Sequence, residues 1–229
     1  MKNKSMLSLY IAELIGTFFM VFLGCGAIIS AEINPESLES FAIPLIFGGA
    51  VSIMIYSVGH ISGAHFNPAV TIAFWATRKF PLKKVPGYLI AQIAGAKLAA
   101  ITHFFIWGNQ HSYGMTFLNS TIGVGILVEF ILSFALMFVI MSVATDTRAV
   151  GELAGIAIGT TVALCAFVGG PITGASMNPA RSLGPALVGG ELHDIWIYIL
   201  IPILGAISGA FVYQKIRCES DKNSEHGCC

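Results

Sequence analysis

Long apolar runs separated by short polar connections make up most of this chain. Runs long enough to span a hydrocarbon core fall at about 8–30, 41–59, 86–107, 122–144, 153–169 and 195–216. At ~1.5 Å rise per residue, about 20 helical residues cover a core roughly 30 Å thick. The pattern therefore predicts six transmembrane helices, of which the fifth is the shortest. Two shorter apolar runs, Val70 to Thr77 and Ser182 to Val188, stand apart from these. About ten residues reach only about 15 Å, half of the core.

Each short run follows a repeated phrase. Residues 62–69 read Ser-Gly-Ala-His-Phe-Asn-Pro-Ala, and residues 173–180, displaced by 111 positions, read Thr-Gly-Ala-Ser-Met-Asn-Pro-Ala. Asn is a favoured helix N-cap, and Pro suits the first helical position because its missing N–H has no partner there anyway. A single Asn67-Pro68-Ala69 is no more than a capped turn. A second copy, Asn178-Pro179-Ala180, at a matched position between apolar spans predicts two re-entrant half-helices, the sequence mark of a midplane site.

Positive charge orients the spans. Lys2, Lys4, Arg78, Lys79, Lys83, Lys84, Arg148, Lys215, Arg217 and Lys222 fall at the termini or in the connections after spans two and four. The connections 31–40 and 108–121 carry no Lys or Arg, and the first holds Glu32, Glu36 and Glu39. Both termini are expected to be cytoplasmic. Three spans per half turn the second copy over, which makes the two repeats, about 8–107 and 122–216, an inverted pair. Ala12-Glu13-Leu14 echoes Val128-Glu129-Phe130, and Gly95-Ala96 echoes Gly205-Ala206. The half-helices then enter from opposite faces, with their N-termini meeting near the midplane. The expected class is an all-α membrane protein, one channel domain over 1–229 with a disordered tail from about 217.

Four ionisable groups lie at membrane depth: Glu13, Glu129, Lys97 and Arg181. Such groups are costly in lipid and draw functional suspicion. The matched positions of Glu13 and Glu129 favour carboxylates that accept from the unpaired N–H groups of the re-entrant loops. Proton or cation coupling is the rival role. Arg181 follows Asn178 by three residues and shares its face, so a pore reaching one reaches the other. Lys97 has no evident acidic partner; snorkelling and a subunit contact are both open to it. His65, two residues before Asn67, is a pore-lining candidate. His60 flanks the same phrase, and His103 and His111 have no assigned role. Gly155 with Gly159 and Gly205 with Gly209 have the small-residue spacing that lets helices approach in lipid.

Composition agrees with this pattern. The chain is 55% hydrophobic and 10% charged, its mean hydropathy is +0.80, and its net charge is zero. These values exclude an ordinary soluble domain and give no reason to expect a nucleic-acid partner. Cys25 and Cys165 fall inside spans and Cys218, Cys228 and Cys229 in the tail, so no disulfide framework is expected. No Cys/His cluster has metal-ligand spacing, and no phosphate loop or nucleophile elbow appears. Neither cofactor, metal nor enzymatic chemistry is expected.

From Glu13 to about Arg217 the chain resembles the aquaporins, or major intrinsic proteins. The wording of 62–74, Arg-Lys-Phe-Pro at 78–81, Gly-Ala-Ser-Met-Asn-Pro-Ala-Arg-Ser-Leu-Gly-Pro-Ala at 174–186 and Trp-Ile-Tyr-Ile-Leu at 196–200 looks most like the nodulin-like intrinsic proteins and their bacterial relatives. The resemblance implies a homotetramer with one pore per subunit, passive conduction, and a narrowest ring at Phe47, Ala166, Ala175 and Arg181. Strict water channels of that family usually carry His where Ala166 stands. Two alanines imply a wider, more apolar ring that passes water and glycerol, with urea and undissociated boric and arsenous acid as further candidates, while excluding protons and ions. Ser182 and Ala186 resemble the strict water-channel pattern instead, and nodulin-like members usually have Trp where Phe47 stands. An ion-coupled transporter using Glu13 and Glu129, and a structural membrane protein with a vestigial pore, are the rival readings.

Overall fold

The computed structural model describes residues 5–35, 41–108, 112–146 and 149–217. Lys2, Lys4, Glu36, Glu39, His111, Arg148, Lys222 and the cysteines at 218, 228 and 229 lie outside the described residues. The described residues form eight α-helices: α1 (Met6–Ile33), α2 (Ala42–Ser62), α3 (Pro68–Ala76), α4 (Val85–Trp107), α5 (Ile122–Thr145), α6 (Ala154–Thr173), α7 (Pro179–Gly189) and α8 (Ile195–Ile216). All but α3 and α7 are long and apolar enough to cross a membrane. The two exceptions are the expected half-helices, nine and eleven residues long.

Local chemistry sets the boundaries. Ser5 and Thr121 cap α1 and α5 through their hydroxyls, which accept from Ser8 and Val124 N–H. Left-handed Gly63 and Gly174 stop α2 and α6 immediately before each re-entrant loop. Three of the expected ends fall short, the first span running past residue 30 to Ile33. The second span continues past residue 59 to Ser62, and the fifth past residue 169 to Thr173 through Gly170 and Pro171. Glycine and proline weaken a helix, but an unpaired backbone in hydrocarbon costs more, so the helix persists until a loop takes over.

The repeats are interlocked rather than side by side. Within each, the first span packs on the last, α1 on α4 and α5 on α8. Between them, α2 packs on α6, α3 on α8 and α7 on α4, so each half-helix rests against the other repeat's final span. The echo of Gly95-Ala96 in Gly205-Ala206 has a backbone cause. A Cβ on Gly95 would meet the Leu14 carbonyl at 2.4 Å, and one on Gly205 would meet the Phe130 carbonyl at 2.5 Å. Leu14 and Phe130 follow Glu13 and Glu129 directly, so the same crossing occurs in each half.

Apolar side chains point outward as well as inward. Ile11, Phe19, Leu127, Ile131, Leu200 and Leu204 are exposed, whereas Glu13, Asn67, Thr71, Gln92, Glu129, Asn178, Arg181 and Ser182 are buried. This distribution fits a bilayer as solvent and a polar interior. Lys97 is exposed on the outer face of α4, unpaired with any acidic side chain among the described residues. His103 is buried on α4, its Nε2 3.0 Å from the Phe22 carbonyl and its ring between Phe22 and Trp107. Cys25 and Cys165 are buried free thiols.

Candidate functional site

The half-helices meet end to end through their capping residues. Asn67 and Asn178 both have extended backbone, and the Oδ1 of each accepts from its own helix, from Ala69 N–H at 2.8 Å and from Ala180 N–H at 3.0 Å. That fixes which way each amide faces. Each Nδ2 then donates across the junction, Asn67 to the Met177 carbonyl at 2.8 Å and Asn178 to the Phe66 carbonyl at 2.9 Å. A carboxamide has two N–H donors. One is used to join the repeats; the other remains on Asn67 and on Asn178 meets only the weak acceptor Met20 Sδ at 3.8 Å, and both residues line the same cavity.

A buried carboxylate holds each re-entrant loop. Glu13 Oε1 accepts from His65 N–H at 3.0 Å and from Ser62 Oγ at 2.7 Å, and Oε2 accepts from Phe66 N–H at 2.8 Å and from Gln92 Nε2 at 2.7 Å. Glu129 repeats the arrangement: Oε1 takes Ser176 N–H at 2.8 Å and Thr173 Oγ1 at 2.7 Å, and Oε2 takes Met177 N–H at 2.9 Å. The loops need this help because their backbone is left-handed at Ala64, Phe66, Ala175 and Met177, which leaves N–H groups turned away from any helix ladder. Charge-assisted bonds from such donors are the strong kind.

Around the junction runs a cavity of about 550 Å³. Phe47, Ala166, Ala175 and Arg181, the four ring positions expected from the family resemblance, all line it together with Asn67, Asn178 and His65. Arg181 is buried; its Nη1 donates to the Gly114 carbonyl at 2.7 Å, and its guanidinium carbon lies 5.1 Å from the centre of the Phe47 ring. Phe47 lies against Gly24 of α1, where a Cβ would overlap the ring at 2.2 Å. His65 packs among Phe74, Phe80 and Tyr88, with Nδ1 3.0 Å from Thr71 Oγ1. Thr71 Oγ1 also lies 3.0 Å from the Asn67 carbonyl, which ties the His65 ring to the start of α3.

Several residues of this site were not among the sequence candidates. Gln92 bridges Glu13 to Thr71, donating to the latter at 2.9 Å, and Tyr88 donates to the Ser62 carbonyl at 2.6 Å. In the second repeat Ser176 and Thr116 bond Ser182, which the sequence marked only for its water-channel pattern, at 2.6 and 2.9 Å. A lone Gln inside an apolar span was the available signal for Gln92. Gly114 contributes only a carbonyl, and for that no sequence signal exists.

Comparison with known proteins places these features in a family. A family model described as major intrinsic protein matches residues 1–213. The chain is 50% identical over 216 residues to nodulin-26 of Glycine max, covering 94% of this chain and 80% of that protein. It is 51% identical over 208 residues to aquaporin NIP1-1 of Oryza sativa subsp. japonica, covering 90% of this chain and 73% of that one. Among solved structures, the X-ray structure of the aquaglyceroporin from Plasmodium falciparum superposes with a TM-score of 0.82 at 27% identity, over 93% of this chain and 97% of that chain. An integral membrane protein with six spans, two capped half-helices meeting inside it, and these relatives belongs to the major intrinsic protein family, the aquaporin-type channels.

Proposed function

We propose that this chain is a passive channel for water and small uncharged solutes of the glycerol class, with urea and undissociated boric or arsenous acid as further candidates. The single observation that carries the reading is the shared cavity: Asn67 and Asn178 lie on the same opening as Phe47, Ala166, Ala175 and Arg181. The half-helix N-termini turn their positive dipole ends toward this point. The remaining N–H of each Asn donates to a passing hydroxyl or water, and a water held as acceptor on both sides cannot hand a proton along the file. Arg181 and the dipoles repel cations.

Solute choice is assigned to the ring. Phe47 presents an apolar wall, Arg181 a donor, and the two alanines leave width that His at position 166 would fill. The likeness to a solved aquaglyceroporin supports solutes beyond water. Ser182 and Ala186 keep a strict water channel as the alternative. The coupled-transporter reading is disfavoured because both Glu13 oxygens are already occupied by four donors. Cytoplasmic termini, supported by the basic connection 78–84, and a homotetramer with one pore per subunit complete the proposal.

Stopped-flow swelling of proteoliposomes in water, glycerol, urea and boric acid gradients tests it. Flux of water and glycerol well above protein-free vesicles, without accumulation against a gradient, is expected. Water flux alone would leave the strict water channel, and no flux for any of the four would remove the channel reading.

A further inference from the structure

Arg181 is fixed on its far side by a backbone carbonyl, and that carbonyl belongs to a segment with its own anchor. Gly114 lies between α4 and α5 in left-handed conformation, with φ of +68°, and a Cβ there would meet Cys25 Cβ at 2.4 Å. The turn that aims its carbonyl is closed by Ser112: Gly114 N–H donates to Ser112 Oγ at 3.2 Å, and Met115 N–H donates to the Ser112 carbonyl at 2.9 Å. Ser112 is held in turn by Glu32 in the last turn of α1. The Ser112 N–H donates to Glu32 Oε2 at 3.2 Å, and its hydroxyl donates to Glu32 Oε1. Both oxygens of one carboxylate are thus spent on one residue, 80 positions away in the chain.

We infer that Glu32 is a positioning residue for the constriction, acting through Ser112 and the Gly114 carbonyl to keep the Arg181 guanidinium against the wall of the pore. The inference rests on the ring proposed above. Glu32 touches no part of the cavity, so its influence on solutes passes entirely through this path. The other hydrogen bond to the Gly114 carbonyl is a weak one, from Cys25 Sγ at 3.5 Å. Without the carboxylate the turn loosens, Arg181 loses its fixed acceptor, and the guanidinium moves over the lumen toward Phe47. A larger solute is hindered more than water by that movement.

The experiment is the glycerol-to-water permeability ratio of reconstituted variants, a quantity independent of how much protein inserts. Loss of hydrogen bonds of this kind predicts that Glu32→Ala and Ser112→Ala each lower the ratio by about fivefold. Glu32→Gln, which keeps one of the two acceptor oxygens for Ser112, lowers the ratio by less than Glu32→Ala. Arg181→Val, the reference, raises the ratio by opening the ring. A ratio raised by Arg181→Val but unmoved by Glu32→Ala and Ser112→Ala overturns the positioning role and leaves the ring intact. A ratio that Arg181→Val does not move overturns both.

Discussion

Asn67 and Asn178 each donate from Nδ2 to the carbonyl of the residue just before the other, at 2.8 and 2.9 Å. The two amides that line the cavity also carry the bonds that join the repeats, so changing either one is expected to alter conduction and stability together. Asn178→Asp replaces the donor with an acceptor facing the Phe66 carbonyl and puts negative charge beside the file. Expected outcomes are a proton or cation leak in vesicles carrying an internal pH dye and a stability loss of about 1–3 kcal/mol. A tight, fully stable Asp variant would remove the assigned role.

The carboxylates give a prediction about stability more than transport. Glu129→Ala strands two loop N–H groups and leaves the Thr173 hydroxyl only the Gly169 carbonyl at 3.4 Å, a loss of about 3–5 kcal/mol by analogy with breaking other buried charged networks. Glu13→Ala should cost a similar amount, and Gln at either position less. Thermal melts in one detergent check this. Unchanged melting points would argue for a coupling role in place of a supporting one.

Width at the ring is testable from one side chain. Ala166→His introduces a polar ring into the cavity opposite existing lining residues and should lower glycerol flux more than water flux. An unchanged ratio would refute the assignment of Ala166 to the constriction.

Gly24 gives an independent approach from behind. A methyl there overlaps the Phe47 ring at 2.2 Å, so Gly24→Ala must displace the ring from its place beside Arg181. The expected results are a drop in glycerol conduction larger than that for water, and an overpacking cost of about 1–3 kcal/mol. Swelling rates and melts on the same preparation separate the two effects.

How much of this was readable beforehand depends on whether the chemistry sits in side chains. Asn-Pro announces a cap whatever surrounds it, so the starts of α3 and α7 were readable at Pro68 and Pro179. The pairing of Glu13 with its loop was suggested by symmetry alone. Its donors Ser62 and Gln92, 49 and 79 residues distant, were not, because span spacing does not say which faces meet. The end of α6 was missed because Gly170-Pro171 reads as a breaker in water and not in lipid. Gly114 was invisible for a plainer reason: every residue has a carbonyl, and only the turn around Ser112 makes this one matter.

The crossed seating of the half-helices also bears on how the molecule comes into being. α3 rests on α8 of the second repeat, which leaves the ribosome long after α3 itself, and the Asn67 amide needs a carbonyl at position 177. A nascent chain holding only the first repeat has its loop unseated and its donors unanswered. Conduction is thus a property acquired only once the second repeat is in place, and a product cut after the first repeat should be inert in the membrane instead of a leaky half-pore.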